Sequence, residues 1–104
     1  MSEALRIRIS PQALAQIEEA ADWWTKNRPA APGAIRHDIT EMLAILVLQP
    51  GVGTPTRPGR VKGLRRVTLE RVRYYLYYRV TDGALEVLAF WHTSRRRLPR
   101  IRVQ

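Results

Sequence analysis

The sequence predicts an α+β fold in which an N-terminal strand, an antiparallel two-helix hairpin and a three-stranded antiparallel meander form one sheet with helices on one face. Three observations predict it. Apolar residues alternate with arginine at the start of the chain, recur at helical spacing between residues 11 and 48, and alternate again from 64 to 92. A chain of 104 residues suffices for one hydrophobic core. We therefore expect a single domain spanning residues 1–104, with 94–104 as a basic C-terminal tail.

The first strand and first helix follow from the opening residues. Leu5, Ile7 and Ile9 predict a strand with one buried face, whose place at the edge or centre of the sheet is left open. Ser10 is predicted to be the N-cap of a helix and Pro11 its first residue. A helix from Pro11 to about Lys26 would carry one apolar stripe, which consists of Leu14, Ile17, Ala21 and Trp24.

A second helix is predicted from Pro32-Gly33 to about Leu48, and the short link between the helices makes them antiparallel. Its apolar face consists of Ile35, Ile39, Met42, Leu43 and Leu46. The segment from Gly51 to Gly63 is rich in glycine, proline and threonine, and it predicts a loop.

The meander begins with a strand from Leu64 to Leu69. If Glu70-Arg71 is a two-residue turn, Val67 and Leu69 face inward and Arg66 and Thr68 outward, whereas a longer loop would swap these faces.

A hairpin between Val72 and His92 is the strongest local signal. Asp82-Gly83 predicts a tight turn, because a type I′ turn needs positive φ at both central residues. If Thr81 pairs with Ala84, one apolar face carries the pairs Tyr78–Val87, Leu76–Ala89 and Tyr74–Trp91. The opposite face then carries Arg79–Glu86, Tyr77–Leu88, Tyr75–Phe90 and Arg73–His92.

Charge is divided unequally along the chain. The formal net charge is +9, and of the 18 basic residues 13 lie from Arg57 onward with only three acidic ones, a net of +10 for that half. Sixteen of the 18 are arginine, which binds phosphate and carboxylate through two parallel hydrogen bonds. The sheet half therefore suits an acidic partner.

The outward face of the meander is the candidate functional surface, and it consists of Arg66, Arg73, Tyr75, Tyr77, Phe90 and His92. RNA is one possible partner, because arginine neutralises phosphate while aromatic rings stack on bases. In a metal-free nuclease, arginine would stabilise charge on phosphorus and His92 could move protons. The alternative is that the aromatic residues form a second small hydrophobic layer capped by another segment, with the charges solvated.

Other chemistry has little support in the sequence. The chain has no cysteine and two histidines, so thiol catalysis is excluded and the usual metal-ligand spacings are missing. We expect no cofactor, no metal and no membrane-spanning segment, and a cytoplasmic location. In the tail, Leu98, Ile101 and Val103 are compatible with an added strand, a docked segment or a solvated end.

Taken together, these segments resemble the RelE/ParE family of bacterial toxins from type II toxin-antitoxin (plasmid stabilisation) modules. The resemblance covers nearly the whole chain. It rests on Ser10-Pro11-Gln12-Ala13, on Leu48 to Gly53, on Gly63 to Val67, on Arg73 to Val80, and on Val87 to His92 followed by Arg95-Arg96.

This resemblance implies a toxin neutralised by a small, often acidic, DNA-binding antitoxin. RelE-like members cut mRNA on the ribosome, whereas ParE-like members inhibit DNA gyrase without catalysis. Likeness to the nuclease pattern implies Arg66 and Arg95 as catalytic candidates, and Arg73 and His92 are added because all four are expected on one face. Tyr75 stands where such nucleases carry an arginine, which favours the ParE-like group.

Three hypotheses therefore remain: a ParE-like gyrase inhibitor, which we favour, a RelE-like mRNA endonuclease, and a non-toxic module that binds antitoxin or nucleic acid. The expected partner-binding residues are Tyr75, Tyr77, Phe90, Arg95 and Arg96.

Overall fold

The computed structural model describes residues 4–57 and 60–103, which form two helices packed on a five-stranded sheet. The strands are β1 (Arg6–Ile9), β2 (Thr54–Pro55), β3 (Arg65–Leu69), β4 (Tyr74–Thr81) and β5 (Ala84–His92), and the helices are α1 (Pro11–Asn27) and α2 (Ala34–Leu46). The order across the sheet is β1-β5-β4-β3-β2. The predicted α+β class and element order are thus confirmed, with β2 as an additional short strand.

The first strand joins the sheet at one edge and runs parallel to β5, with Ile7 beside Leu85 and Ile9 beside Val87. The place of this strand, which the sequence leaves open, is thus at the edge, and its pairing is parallel whereas the meander is antiparallel. The prediction of one buried face is wrong for this edge strand, since Ile7 is 46% and Ile9 38% exposed. Leu5, just before the strand, packs against the main core.

Helix α1 begins as predicted, since the Ser10 hydroxyl accepts a hydrogen bond from the Ala13 amide at 3.1 Å. The predicted stripe is confirmed at Ile17, Ala21 and Trp24 and is wrong at Leu14. Leu14 is 44% exposed, and Ala13 takes its place in the core. Small alanines on the inner line let the helix approach the sheet closely, an effect that a pattern weighted toward leucine does not capture. The other inward residues are Ile17, Ala20, Ala21 and the half-buried Trp24.

Helix α2 presents the predicted apolar face to the same core. Ile35, Ile39, Leu43 and Leu46 are buried, and Met42 packs against them. The opposite side of the core comes from the inward residues of the sheet, among them Val67, Leu76 and Tyr78. None of the helices in the two described ranges is long and apolar enough to cross a bilayer.

The segment after α2 is tied to the sheet through the Tyr78 hydroxyl. This hydroxyl accepts a hydrogen bond from the Gly53 amide at 2.9 Å and donates one to the Pro50 carbonyl at 2.6 Å. Burial raises the pKa of the Tyr78 phenol above its ordinary value, so the group keeps the proton that it donates. Arg65 adds a hydrogen bond to the Gly53 carbonyl at 2.6 Å.

The C-terminal tail, residues 94–103, is docked on the sheet face opposite the helices. Ile101 packs there with Leu64, Tyr77, Leu88 and Ala89 in a second apolar cluster. The Trp91 indole donates to the Arg97 carbonyl at 2.7 Å, and the Gln12 side chain bonds the backbone of the tail further on. The interpretation of a second hydrophobic layer capped by another segment is confirmed for Leu88 and Tyr75 and is wrong for Phe90, which lies in the main core.

Replacing Ile101 with aspartate should release the tail and lower the free energy of unfolding by about 2 to 3 kcal/mol, because Ile101 is only 9% exposed. The matched control is Leu98→Asp in the same segment, where the side chain is 59% exposed and the change should stay within about 0.5 kcal/mol. Urea unfolding followed by circular dichroism measures both. Equal effects would contradict the docked tail.

Candidate functional site

A β-bulge in the hairpin decides which side chains share a face. The predicted pairs Thr81–Ala84, Arg79–Glu86 and Tyr78–Val87 are present, but Tyr77 pairs with Ala89 and leaves Leu88 as an extra residue. Beyond this point the register of β5 moves by one. The predicted pairs Tyr75–Phe90 and Arg73–His92 are therefore wrong, and the structure contains Tyr75–Trp91 and Tyr74–His92 instead.

The shifted register separates the proposed catalytic residues. Phe90 and His92 now lie on the helix side with Tyr74, whereas Arg66 is paired with Tyr77 on the side of the tail. Arg73 is exposed in the β3–β4 connection with φ of 64°. The expectation that all of them occupy one face was wrong, because one inserted residue reverses every later side chain of a strand.

The β3–β4 connection has four residues, from Glu70 to Arg73, where two were predicted. The even length preserves the inward position of Val67 and Leu69 and the outward position of Arg66 and Thr68. The predicted faces of β3 are confirmed for this reason.

Two stacked arginines mark the outward face near the ends of β3 and β5. The guanidinium carbon of Arg66 lies 4.1 Å from the ring centroid of Tyr75, and that of Arg95 lies 4.1 Å from the ring centroid of Trp91. Tyr75 and Trp91 are cross-strand partners and both are partly exposed. We call Arg66, Tyr75, Trp91 and Arg95 the arginine–aromatic patch.

Stacking on a ring holds a guanidinium in place and leaves its N–H groups available to an acidic partner. Of the five residues expected to bind a partner, Tyr75, Arg95 and Arg96 present surface, but Tyr77 and Phe90 are buried. Trp91 was assigned to the helix face from sequence, so its place in the patch was missed. Only knowledge of the bulge would have revealed it.

On the other side of β5, a cavity of about 380 Å³ opens between α1 and the ends of β4 and β5. Its lining joins aromatic rings with ionisable groups. These residues are Gln16, Glu19, Ala20, Trp23, Trp24, Tyr74, Phe90, Trp91, His92 and Arg95. Trp91 and Arg95 thus border both this cavity and the arginine–aromatic patch.

His92 has a defined orientation at the cavity. Its Nδ1 lies 2.7 Å from the Ser94 hydroxyl and accepts a hydrogen bond from the Ser94 amide at 3.1 Å. In the neutral imidazole this assigns the proton to Nε2. The ring also packs edge-on against Tyr74, with 4.9 Å between the centroids.

Tyr74 and Trp24 form the inner wall of the cavity. Burial raises the pKa of the Tyr74 phenol, which the nearby Arg95 partly offsets and Glu19 reinforces. The ring of Tyr74 stacks on Phe90 at 4.4 Å. The Trp24 indole nitrogen is buried without a hydrogen-bond partner in the described part of the chain. Sequence analysis had assigned Trp24 to the core and had no signal for its position in a cavity.

The second histidine of the chain, His37, lies on the surface of α2. His37 is exposed and lies 2.9 Å from Glu41 on the same helix, which is the solvated position that its sequence neighbours indicate. Within residues 4–57 and 60–103, no three histidine, cysteine, aspartate or glutamate side chains are grouped closely enough to hold a metal ion.

Comparison with known proteins identifies the family. The family described as "ParE toxin of type II toxin-antitoxin system, parDE" matches residues 7–97. The chain belongs to the ParE toxin family. A curated relative from Sinorhizobium fredii, named "Putative toxin Y4kP", is 29% identical over 90 residues, which are 86% of this chain and 90% of the relative.

Solved structures support the same fold. The chain matches a structure titled "Chromosomal ParDE TA system from P. aeruginosa" with a TM-score of 0.70 and 24% identity, over 89% of this chain and 100% of the other. It also matches "The structure of YoeB dimer from Staphylococcus aureus" with a TM-score of 0.55 and 20% identity, over 86% and 98%. This ParE family member is thus a toxin of a type II toxin-antitoxin system with a ParE/RelE-like fold. The matched residues include the arginine–aromatic patch and the lining of the cavity.

Proposed function

We propose that this ParE family toxin inhibits growth by binding DNA gyrase, and that it does so without catalysis. The observation that carries the proposal is the arginine–aromatic patch. Arginine, tryptophan and tyrosine are the residues that most often dominate the binding energy of protein interfaces. In the patch two arginines are already positioned by ring stacking at 4.1 Å, so little side-chain freedom is lost on binding.

The separation of Arg66 from His92 also favours a binding mode. A general acid or base must come within hydrogen-bond reach of the group whose proton it moves. Arg66 and His92 face opposite sides of the sheet. A phosphate held at Arg66 would therefore not face the imidazole.

The proposed neutralising partner is a small antitoxin of acidic character. The formal net charge of +9 favours such a partner by charge complementarity, since opposite potentials accelerate association and select the partner. The parDE designation of the matched family is consistent with an antitoxin produced together with the toxin. We propose that the complex forms in the cytoplasm.

A RelE-like mRNA endonuclease is the second candidate, and one observation favours it. The cavity beside α1 brings an oriented imidazole, a phenol, a carboxylate and a guanidinium to one place, from His92, Tyr74, Glu19 and Arg95. These groups are able to move protons and to stabilise charge on phosphorus. In this case Arg66 and Arg73 would have no part in the chemistry.

Induction of the toxin alone in a bacterial host tests these candidates together. We expect growth arrest, loss of negative supercoiling in a reporter plasmid on chloroquine gels, and intact reporter mRNA by primer extension. Ribosome-dependent mRNA cuts with normal supercoiling would overturn the gyrase proposal in favour of the endonuclease. Harmless overproduction of folded protein would favour the third hypothesis, a non-toxic binding module.

A further inference from the structure

A second basic feature of the molecule lies away from the arginine–aromatic patch. A cleft of about 950 Å³ is enclosed by β1, the first turn of α1, the outward face of β4 and β5, and the docked tail. Four arginines line it: Arg8, Arg79, Arg100 and Arg102. None of the four patch residues takes part in this lining. We call it the tail cleft.

The tail arginines are held by the backbone on which they stand. The Gln12 amide group donates to the Arg100 carbonyl and accepts from the Arg102 amide, the latter at 3.0 Å. Between them Ile101 is buried in the second apolar cluster, while Arg100 and Arg102 are exposed. Both arginines therefore line the cleft from a fixed segment.

The tail cleft carries a net positive charge, because four arginines and two carboxylates line it, a formal net charge of +2. Arg79 is paired with Glu86 at 2.9 Å, and both side chains are largely buried. Among the residues that the structure describes, no ion pair involves Arg8, Arg100 or Arg102. Asp82 is the other carboxylate of the lining. Three arginines thus face the cleft with their hydrogen-bonding capacity available to a ligand.

We propose that the tail cleft binds the phosphate backbone of nucleic acid without reading its sequence. Each guanidinium can form two parallel hydrogen bonds to one phosphate, which suits arginine better than any other side chain to this ligand. The lining contains no aromatic ring on which a base could stack. Binding should therefore depend on the backbone and on salt.

Charge density decides between nucleic acid and an acidic peptide. The half of the chain from Arg57 onward carries a net charge of +10. Double-stranded DNA presents about one negative charge per 1.7 Å, and the release of its condensed counterions adds free energy that a peptide with a few carboxylates does not supply. The positive electrostatic potential of this protein therefore favours nucleic acid as the ligand of the tail cleft.

Fluorescence anisotropy with labelled duplex DNA and with single-stranded RNA, each about 20 nucleotides long, tests the proposal without gyrase present. The triple variant Arg8→Gln, Arg100→Gln, Arg102→Gln should bind about 30-fold more weakly at low salt. The slope of log affinity against log salt should decrease by about 2 to 3, because each lost phosphate contact removes about one unit. The two probes show whether DNA or RNA is the preferred source of the backbone.

A charge-matched control separates a site from general attraction. Lys26→Gln, Arg36→Gln and Arg57→Gln also remove three exposed charges, all outside the cleft, and should weaken binding by less than about 3-fold. Equal losses in both triple variants would overturn the proposal. If the cleft triple variant does not fold, Arg100→Gln and Arg102→Gln singly should each weaken binding by about 3-fold and lower the salt slope by about one unit, and unchanged binding of both would overturn the proposal.

The charge-neutral change Gln12→Ala tests the role of the fixed tail. It removes both side-chain hydrogen bonds to the tail and leaves the net charge unchanged, so binding should weaken by about 3- to 10-fold. Unchanged binding of Gln12→Ala would contradict the positioning of Arg100 and Arg102. Polyglutamate is the competing ligand. If it binds as tightly as nucleic acid, and if the cleft triple variant loses this binding, the ligand of the cleft is an acidic polypeptide and the assignment is overturned.

Discussion

Gly53→Ala should lower the free energy of unfolding by about 3 kcal/mol, because an added methyl group would collide with a buried ring. A Cβ at this position would lie 2.8 Å from Cε1 and 2.9 Å from Cζ of Tyr78, and closer still to the hydroxyl oxygen. Tyr78 is fully buried and its hydroxyl is bonded to both Pro50 and Gly53, so the ring has no room to retreat. Urea unfolding followed by circular dichroism measures the loss.

Gly51→Ala is the matched control, since nothing lies within 4 Å of its added Cβ, and it should change stability by less than about 0.5 kcal/mol. Tyr78→Phe alone should cost about 1 to 2 kcal/mol by leaving the Gly53 amide without its partner. The double variant Gly53→Ala, Tyr78→Phe should be less destabilised than the sum of the two, because it lacks the closest colliding atom. Additive effects would show that the clash with the hydroxyl oxygen is not the cause.

If the proposed gyrase mechanism holds, Arg95→Ala should have the largest effect on toxicity and weaken gyrase binding by about 30-fold, the equivalent of a hot-spot loss near 2 kcal/mol. Arg95 stacks on Trp91 and stands on a short turn, in which its amide donates to the His92 carbonyl at 3.2 Å. The change should therefore remove a binding group without unfolding the strand. Colony counts after induction and pull-down of purified gyrase measure the effect.

The exposed Arg36 on α2 provides the control, and Arg36→Ala should leave toxicity unchanged. His92→Gln separates the two candidate functions, because a gyrase inhibitor does not need the imidazole proton whereas the endonuclease does. Full toxicity of Arg95→Ala would show that toxicity does not depend on the arginine–aromatic patch. Loss of toxicity in His92→Gln, with folding and gyrase binding intact, would support the cavity as a catalytic site.

Local patterns were sufficient to predict most of the elements. The Ser10 cap, the apolar face of α2 and the Asp82-Gly83 turn each depend on residues within a few positions of one another, and all three are present. The parallel pairing of β1 with β5 joins residues far apart in the chain, as Arg6 and Ala84 show. Neither propensity nor periodicity contains that information.

The candidate site was less predictable because it depends on one bulged residue. Leu88 looks like any other strand residue in the sequence, yet its insertion moves Phe90 and His92 to the helix side and Trp91 to the outward side. The energy that favours the bulge lies in packing, since Leu88 and Ala89 both enter the cluster that Ile101 covers. Strict alternation along a strand places neighbouring residues on opposite faces, so it cannot predict that Leu88 and Ala89 are buried on the same side.

Purified DNA gyrase provides the most direct measurement of the proposed function. Relaxed plasmid is incubated with gyrase, ATP and increasing amounts of the toxin, and the formation of supercoiled product is followed on agarose gels. The account predicts that the toxin inhibits supercoiling, that Arg36→Ala does so equally and that Arg95→Ala does so about 30-fold less effectively. Unimpaired supercoiling at saturating toxin, together with mRNA cleavage on purified ribosomes, would contradict it.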